Sequence, residues 1–487
     1  MLTNSDYFLN RRAFLRASAG GLGSLALTHL LGLDAPAASL PAKALATARQ
    51  PPVPPSPLAP KPPHHQPRAK SVICLFQHGG PSQMDLFDPK PELNKRDGED
   101  HPDKLEIHFE KQAGKLLKSP FAFQKRGQCG MELSELLPHT AGIADEITLV
   151  RSMTTDSVDH ESALRIIHSG KFQAGRPTWG AWVIYGLGSE RQDLPAYVVL
   201  SDPGGLPVDG IRNWTSGWLP ALYQGTQIRS EGTPVFNLER PADLPEAARA
   251  NQLRFLDRLN QSHLAAHAPN SELSARIRNF EVAARMQTSV GEILDLSTEP
   301  ETIKRLYGLD HTDKATANYA RRCLMARRLI ERGVRFVQIY LSGQPWDTHD
   351  KNAEKLRGLC QMTDQPSAAL VLDLKQRGLL DETIVLWTGE FGRLPVSQGK
   401  DGRDHNRHGF SLWVAGGGFK KGYVHGATDD FGYRSVEQVV RVYDLHATLL
   451  HALGLDHRKL TYPHEGRDDS LTDVAITDAN PVHELLS

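Results

Sequence analysis

Six short apolar runs punctuate the chain, and each stops at small or polar residues. They are SVICLFQ (71–77), ITLVRSM (147–153), AYVVLSD (196–202), VRFVQIYL (334–341), TIVLWTGEFG (383–392) and FSLWVAGGG (410–418). Their shortness, β-branched content and glycine borders predict strands. Between and after them lie longer stretches with apolar residues three and four apart: ESALRIIHSG (161–170), LRFLDRLNQSHLAAH (253–267), ANYARRCLMARRLIERG (317–333), SAALVLDLKQRGLL (367–380) and VVRVYDLHATLLHALGL (439–455). That spacing predicts amphipathic helices. Strands alternating with helices predict an α/β domain built on a largely parallel sheet. Ligands of such sheets gather beyond the carboxyl ends of the strands.

The residues after each predicted strand therefore carry the interest. SVICLFQ is followed by HGGPSQMD, with His78, Ser82 and Asp85. ITLVRSM is followed by TTDSVDHE, with Thr155, Asp159, His160 and Glu161. VRFVQIYL is followed by SGQPWDTHD, with Asp347 and His349. TIVLWT is followed by GEFGR, with Glu390 and Arg393, and then by a predicted loop, GRDHNRHG, with Asp404, His405 and His408. A parallel sheet brings these four ends to one edge. Asp, Glu and His together are the usual ligands of zinc, manganese, magnesium or calcium.

Each feature alone has an ordinary reading. WDTH is a capping or hydrogen-bonding turn, Glu390 an ion-pair partner of Arg393, and His160 the start of a helix capped by Asp159 or Thr155. Arg393 and Arg403 are surface ion pairs. Taken together they predict a divalent-metal centre for an anionic ester, with His78, Asp85, Asp347, His349, Glu390, Asp404 and His405 as candidate ligands. Arg393 and Arg403 are then the candidate clamps for a phosphate or sulfate.

Composition narrows the class. The 487 residues carry a formal net charge of -1 and are 39% hydrophobic. Near-neutral charge gives no support for a nucleic-acid partner. Outside the N-terminus no apolar run reaches about 18 residues, so no permanent membrane span is expected. NRRAFLRASAGGLGSLALTHLLGL sets Arg11-Arg12 before a modestly apolar stretch, which reads as a twin-arginine export signal over residues 1–45. The expectation is a periplasmic or secreted protein that meets the twin-arginine translocase. Residues 46–70 are proline-rich and read as an extended tether, with His64 and His65 idle in it; the folded domain is expected over 71–480.

The four cysteines show no metal-type spacing, and Cys74 reads as core. AGGGFKKG lacks the Lys-Ser/Thr pair of a phosphate loop and reads as a turn. Trp214 and Trp218 read as packing residues before sugar platforms. There is no haem, dinucleotide or iron–sulfur motif.

The segments FQHGGPSQMDLFDPKP, WDTHDKN, GEFGRLP, GRDHN, AGGGFKKGYVHGATDDFG and VYDLHATLLHALGLDH together resemble DUF1501, a family of secreted bacterial proteins abundant in planctomycetes. Through it the chain resembles the alkaline phosphatase and sulfatase superfamily over roughly residues 71 to 475. The resemblance implies an alkaline phosphatase-like core with helices on both sheet faces. It places Glu390 on a metal-binding aspartate, with Phe391 replacing a usual Asn or His. It places Asp347 and His349 on a ligand segment, and His405, then His408, on a ligand histidine. Either His78 or Asp85 falls on the ligand after the first strand, and Asp444 and His446 on scaffold.

HESALRIIHSGK resembles the sulfatase signature, but His160 stands where its nucleophile belongs. The formylglycine pattern C/S-x-P-x-R is absent. The nucleophile is then Ser82, Thr155 or Ser162, or a metal-bound water with His160 as acid or base. The implied function is an exported metal-dependent hydrolase of sulfate or phosphate esters, small-molecule or polysaccharide. The alternative is a non-catalytic relative that binds a sulfated polysaccharide or another anionic ligand.

Overall fold

The computed structural model describes residues 57–191, 193–231, 245–267 and 293–487, with isolated positions between 273 and 291. The predicted signal and residues 46–56 lie outside the described residues. All six predicted strands form: β1 (Ser71–Phe76), β3 (Ile147–Thr154), β4 (Tyr197–Ser201), β6 (Phe336–Tyr340), β7 (Thr383–Thr388) and β10 (Phe410–Ala415). They join β5 (Thr226–Arg229), β11 (Tyr423–His425) and β12 (Val440–Arg441) in one nine-stranded sheet. Its order is β11-β3-β10-β7-β1-β6-β4-β5, with β12 also paired to β3. Only β10 runs against the rest.

Alternation along the central strands builds two cores. Ile73 and Leu75 of β1, Val337 and Ile339 of β6, and Val385 and Trp387 of β7 face one side. There they meet α3 (Lys314–Glu331) and α4 (Asn352–Gln376). Val72, Cys74 and Phe76, with Ile384 and Leu386, face the other. There they meet α1 (His160–Ser169), α2 (Trp179–Leu187) and α5 (Val442–Ala452). Both sheet faces are thus covered, as continuous apolar strands require.

Three expectations change. First, α4 begins at Asn352, well before the predicted start at Ser367, and runs through Pro366. Second, GRDHNRHG is not a loop. Gly402–Asn406 is a strand, β9, paired antiparallel to β8 (Gly392–Gln398), with β2 (Ala113–Leu116) on the far side of β8. Third, the described end of the proline-rich stretch is not a free tether. His64 N donates to Gly454 O (2.8 Å), Ala69 N to Ala452 O (2.9 Å), and Leu58 and Ala69 are buried. His64 is not idle either, since its Nδ1 accepts from Asp456 N (2.9 Å).

Trp214 is core, and Trp218 stacks between ring neighbours Tyr462 and His464. Among the described residues no helix is long and apolar enough to cross a membrane.

His446 belongs to the scaffold side of the fold. Its Nε2 donates to Ile167 O (2.9 Å), tying α5 to α1, and burial holds its pKa down at about 4. The folded value lies below the unfolded one, so the unfolded chain binds more protons below pH 6.5. Stability is therefore present above pH 6.5 and is lost toward pH 4, at about 1.4 kcal/mol per pH unit for this group. In denaturant titrations the fall in stability between pH 7.5 and 4.5 should be shallower for His446→Gln than for the wild type, by up to about one such increment.

Candidate metal centre

The edge beyond the carboxyl ends of β1, β6 and β7 carries the predicted residues, and β8–β9 fold over it. Two glycines let the chain close there. Gly79 and Gly80 adopt φ of 111° and 75°. A Cβ on Gly79 would lie 2.4 Å from Asp347 N, and one on Gly80 2.6 Å from the Phe391 ring. Gly79 N donates to Glu390 (2.9 Å). Trp346 N donates to His78 O (2.9 Å), which sets the WDTH loop beside the β1 loop.

Asp347 is the hub. Its Oδ1 meets His349 Nε2 at 2.9 Å, His405 Nε2 at 3.2 Å and Arg393 Nη2 at 2.7 Å. Its Oδ2 lies 3.4 Å from His160 Nε2. Every one of these imidazoles is held from behind through Nδ1. His405 Nδ1 faces the carbonyl oxygen of Val158 (2.6 Å), His160 Nδ1 faces Glu390 Oε1 (2.7 Å), and His349 Nδ1 faces Gln398 Oε1. Gln398 in turn donates through Nε2 to Gln112 Oε1 (2.8 Å), which fixes its oxygen toward His349.

An oxygen behind each ring demands a proton on Nδ1. A neutral ring then turns an Nε2 lone pair to the Asp347 carboxylate, and a charged one donates to it from Nε2. For a neutral ring, as at His405, acceptor faces acceptor, and a cation between them removes the conflict. Carboxylate or carbonyl oxygens behind ligating histidines are the usual support of such a site.

The charges agree. Burial alone would raise the Asp347 carboxyl. The imidazoles of His160, His349 and His405 and the Arg393 guanidinium overcome burial and hold it far below the ordinary carboxylate range. Burial pushes His405 down to about 4, helped by nearby Arg393 and His160. His160 is also penalised by burial, but the Asp347 and Glu390 carboxylates prevail and lift it to about 9. Asp404 stands next to this group, its oxygens accepting from His405 N (2.8 Å) and Phe109 N (2.7 Å). The ligand-type atoms form two sets that share His405: His160, Asp347 and His405, and His349, Asp404 and His405.

Other candidates take different places. Asp85 is fully buried and accepts from Arg403 (2.8 and 3.1 Å), Ser82 Oγ (2.6 Å) and Asn352 (2.9 Å). Its oxygens are spent on that packing network, so it stands behind the centre. Ser82 is 1% exposed and gives its hydroxyl proton to Asp85, which leaves it no free attacking pose. Arg393 and Arg403 are not surface clamps, since both are fully buried. Arg393 donates to Gly80 O (2.9 Å), Arg403 O (3.0 Å), Gly79 O and Asp347, and so reaches the site through Asp347.

Glu390 sits behind His160 and orients it. His408 pairs with Glu106 (2.7 Å), away from Asp347. His78 is fully buried against Phe76 and Tyr340, and neither ring nitrogen has a hydrogen-bond partner among the described residues. Phe391 is the floor, its ring 4.8 Å from His160 and 4.6 Å from His405.

Sequence reading missed His108, Phe109, Gln112 and Gln398. No periodicity marks LEIHFE. It reaches the site only because β2 pairs with β8.

The DUF1501 profile, described as a protein of unknown function, matches residues 69–486. The chain belongs to DUF1501. No curated protein matches this DUF1501 chain in sequence. Similar solved structures include a sulfatase from Pseudoalteromonas sp. (12% identity, 80% of this chain and 68% of that one, TM-score 0.33). A phosphonate monoester hydrolase from Silicibacter pomeroyi is another (11%, 85% and 78%, 0.32). A third is a protein in the alkaline phosphatase superfamily from Vibrio parahaemolyticus (9%, 83% and 71%, 0.37).

The Asp85–Arg403 pair yields a test of its own. Removing one partner of a fully buried pair leaves an uncompensated charge, at about 3–5 kcal/mol. Arg403→Met should lower the unfolding free energy by about that much in urea titrations. The double change with Asp85→Leu should recover a large part of the loss.

Proposed function

We propose that this DUF1501 protein is a divalent-metal-dependent hydrolase of phosphate or sulfate esters, exported by the twin-arginine route on the Arg11-Arg12 signal. One observation carries the metal part: three imidazoles, each held through Nδ1 by an oxygen, turn Nε2 to one carboxylate, and the uncharged His405 does so with a bare lone pair. The donor set fits a cation. Its nitrogen content favours zinc or manganese over magnesium or calcium, which take mainly oxygen ligands. Such an ion, when bound, lowers the pKa of a bound water and draws charge from an ester oxygen.

The chain's own groups do the rest. His160, Asp347 and His405, or His349, Asp404 and His405, would hold the ion. Val158 O, Glu390 and Gln398 keep the rings in the ligating tautomer. Arg393 keeps Asp347 ionised and in place. Phe391 closes the floor against water, which strengthens every charge interaction above it. Ser82 is committed to Asp85, and Ser162 N is held at the Asp159 cap of α1 (3.0 Å). Thr155 Oγ1 is buried. The committed Ser82 hydroxyl favours water as the nucleophile, and His160, with Nδ1 on Glu390 and Nε2 toward the ion, is not free to serve as its acid or base.

The test is metal analysis of purified full chain, with 4-nitrophenyl phosphate and 4-nitrophenyl sulfate turnover before and after chelation. We expect retained zinc or manganese and chelator-sensitive turnover. Gln398→Ala should weaken metal binding about 10–100-fold by releasing the His349 ring. Metal-free protein, inert to both esters after metal addition, overturns the reading. Bound metal without turnover of either ester favours the non-catalytic binding reading instead.

A further inference from the structure

The segment around Phe109 lies on an outward side of the site. Within the ligand cluster the His349 side chain is 27% exposed, against 12% for Asp347, 11% for His160 and 4% for His405. Solvent, and therefore a ligand, reaches the centre past His349. Phe109 stands there, its ring centroid 5.2 Å from His349 and 6.3 Å from His405. The ring is edge-on to His349 (88°) and 39% exposed. His108 lies beside it at 4.5 Å and stacks on His405 at 5.3 Å.

A lone exposed aromatic is ordinary. This one is different because its main chain is fixed to the centre while its ring is left uncovered. Phe109 N donates to Asp404 (2.7 Å). On the N-terminal side Glu106 N donates to the Tyr433 hydroxyl (2.9 Å), and the Glu106 carboxylate accepts from Arg407 and His408. On the C-terminal side Gln112 O accepts from Gly399 N (2.9 Å), and Gln112 Oε1 from Gln398 (2.8 Å). An aromatic wall positioned in advance loses little freedom on binding, and its face suits a ring bearing axial C–H groups or π-electrons.

Resting on the ester-hydrolase reading, we propose that Phe109, with His108 beside it, is the specificity wall that receives the ring of a cyclic alcohol, a sugar or similar ring, whose phosphate or sulfate sits at the Asp347 cluster. The phosphate or sulfate would meet the ion and the histidines. The alcohol would leave the centre on the His349 side and lie against the Phe109 face. An acyclic alcohol would gain little there.

The experiment uses the metal-loaded full chain. Cyclohexyl phosphate and cyclohexyl sulfate are compared with their n-propyl counterparts, in turnover and by calorimetric binding. Wild type should prefer the cyclohexyl esters. Phe109→Ala should reduce that preference about tenfold through KM and Kd rather than kcat. Phe109→Trp should restore it. Thermal unfolding and metal content of Phe109→Ala report whether the fold is intact, and the exposed ring predicts that it is.

A preference unchanged in Phe109→Ala, or equal weakening of both ester types, overturns the proposal. If wild type hydrolyses neither ester but binds with a cyclohexyl preference that Phe109→Ala abolishes, the hydrolase reading fails and the wall stands. If wild type shows no such preference in binding or turnover, the wall is overturned whatever the activity.

Discussion

Arg393 is the buried cation on which the edge of the sheet depends. Burying a guanidinium costs several kcal/mol unless its donors are met and an opposite charge lies close. Here the donors are met by carbonyls of Gly79, Gly80 and Arg403, and the charge by Asp347. Those partners come from the loop after β1, the strand β9 and the loop after β6. One side chain on β8 thus ties together the segments that carry His78, His405 and Asp347. The same bond that satisfies Arg393 keeps Asp347 ionised amid histidines.

Around that carboxylate the design lies in what stands behind each ring. A backbone carbonyl, a glutamate and a glutamine, from three different parts of the chain, put the proton of each imidazole on Nδ1. Each support fixes its ring so that Nε2 turns to Asp347. Phe391 packs beneath two of the rings, so water cannot satisfy them from below. Among the described ligand-type residues around Asp347, His349 is the most exposed, and Phe109 lies beside it. Where the superfamily resemblance sets a ligand at the position of Phe391, this chain has a buried aromatic ring instead.

The same structure separates two uses of charge. Asp85, Arg403, Ser82 and Asn352 form a closed, fully buried network whose donors and acceptors answer one another. Asp347 and its histidines form an unbalanced one, in which the uncharged His405 turns a bare Nε2 to an ionised carboxylate 3.2 Å away. Balanced buried networks hold a fold; unbalanced ones call for a ligand. That difference, rather than residue type, tells scaffold from site here.

The alternation of strand and helix, the two-faced apolar strands and the gathering of acids and histidines at strand ends were all legible in the sequence. They follow from local rules: side-chain period, strand length and the direction shared by parallel strands. Asp347, His349, His405 and His160 could be named for that reason.

What those residues do toward one another was not legible, because it depends on contacts hundreds of residues apart. Sequence cannot say that Asp85 and Ser82 turn inward while His160 turns to Asp347. Nor can it say that Arg393 is buried rather than open to an anion. GRDHNRHG read as a loop because its polar residues hide a strand that is buried on account of the site. Phe109 carries no pattern at all. It reaches the centre only because β2 adds to the edge of β8, and strand pairing of that kind is decided by the tertiary fold.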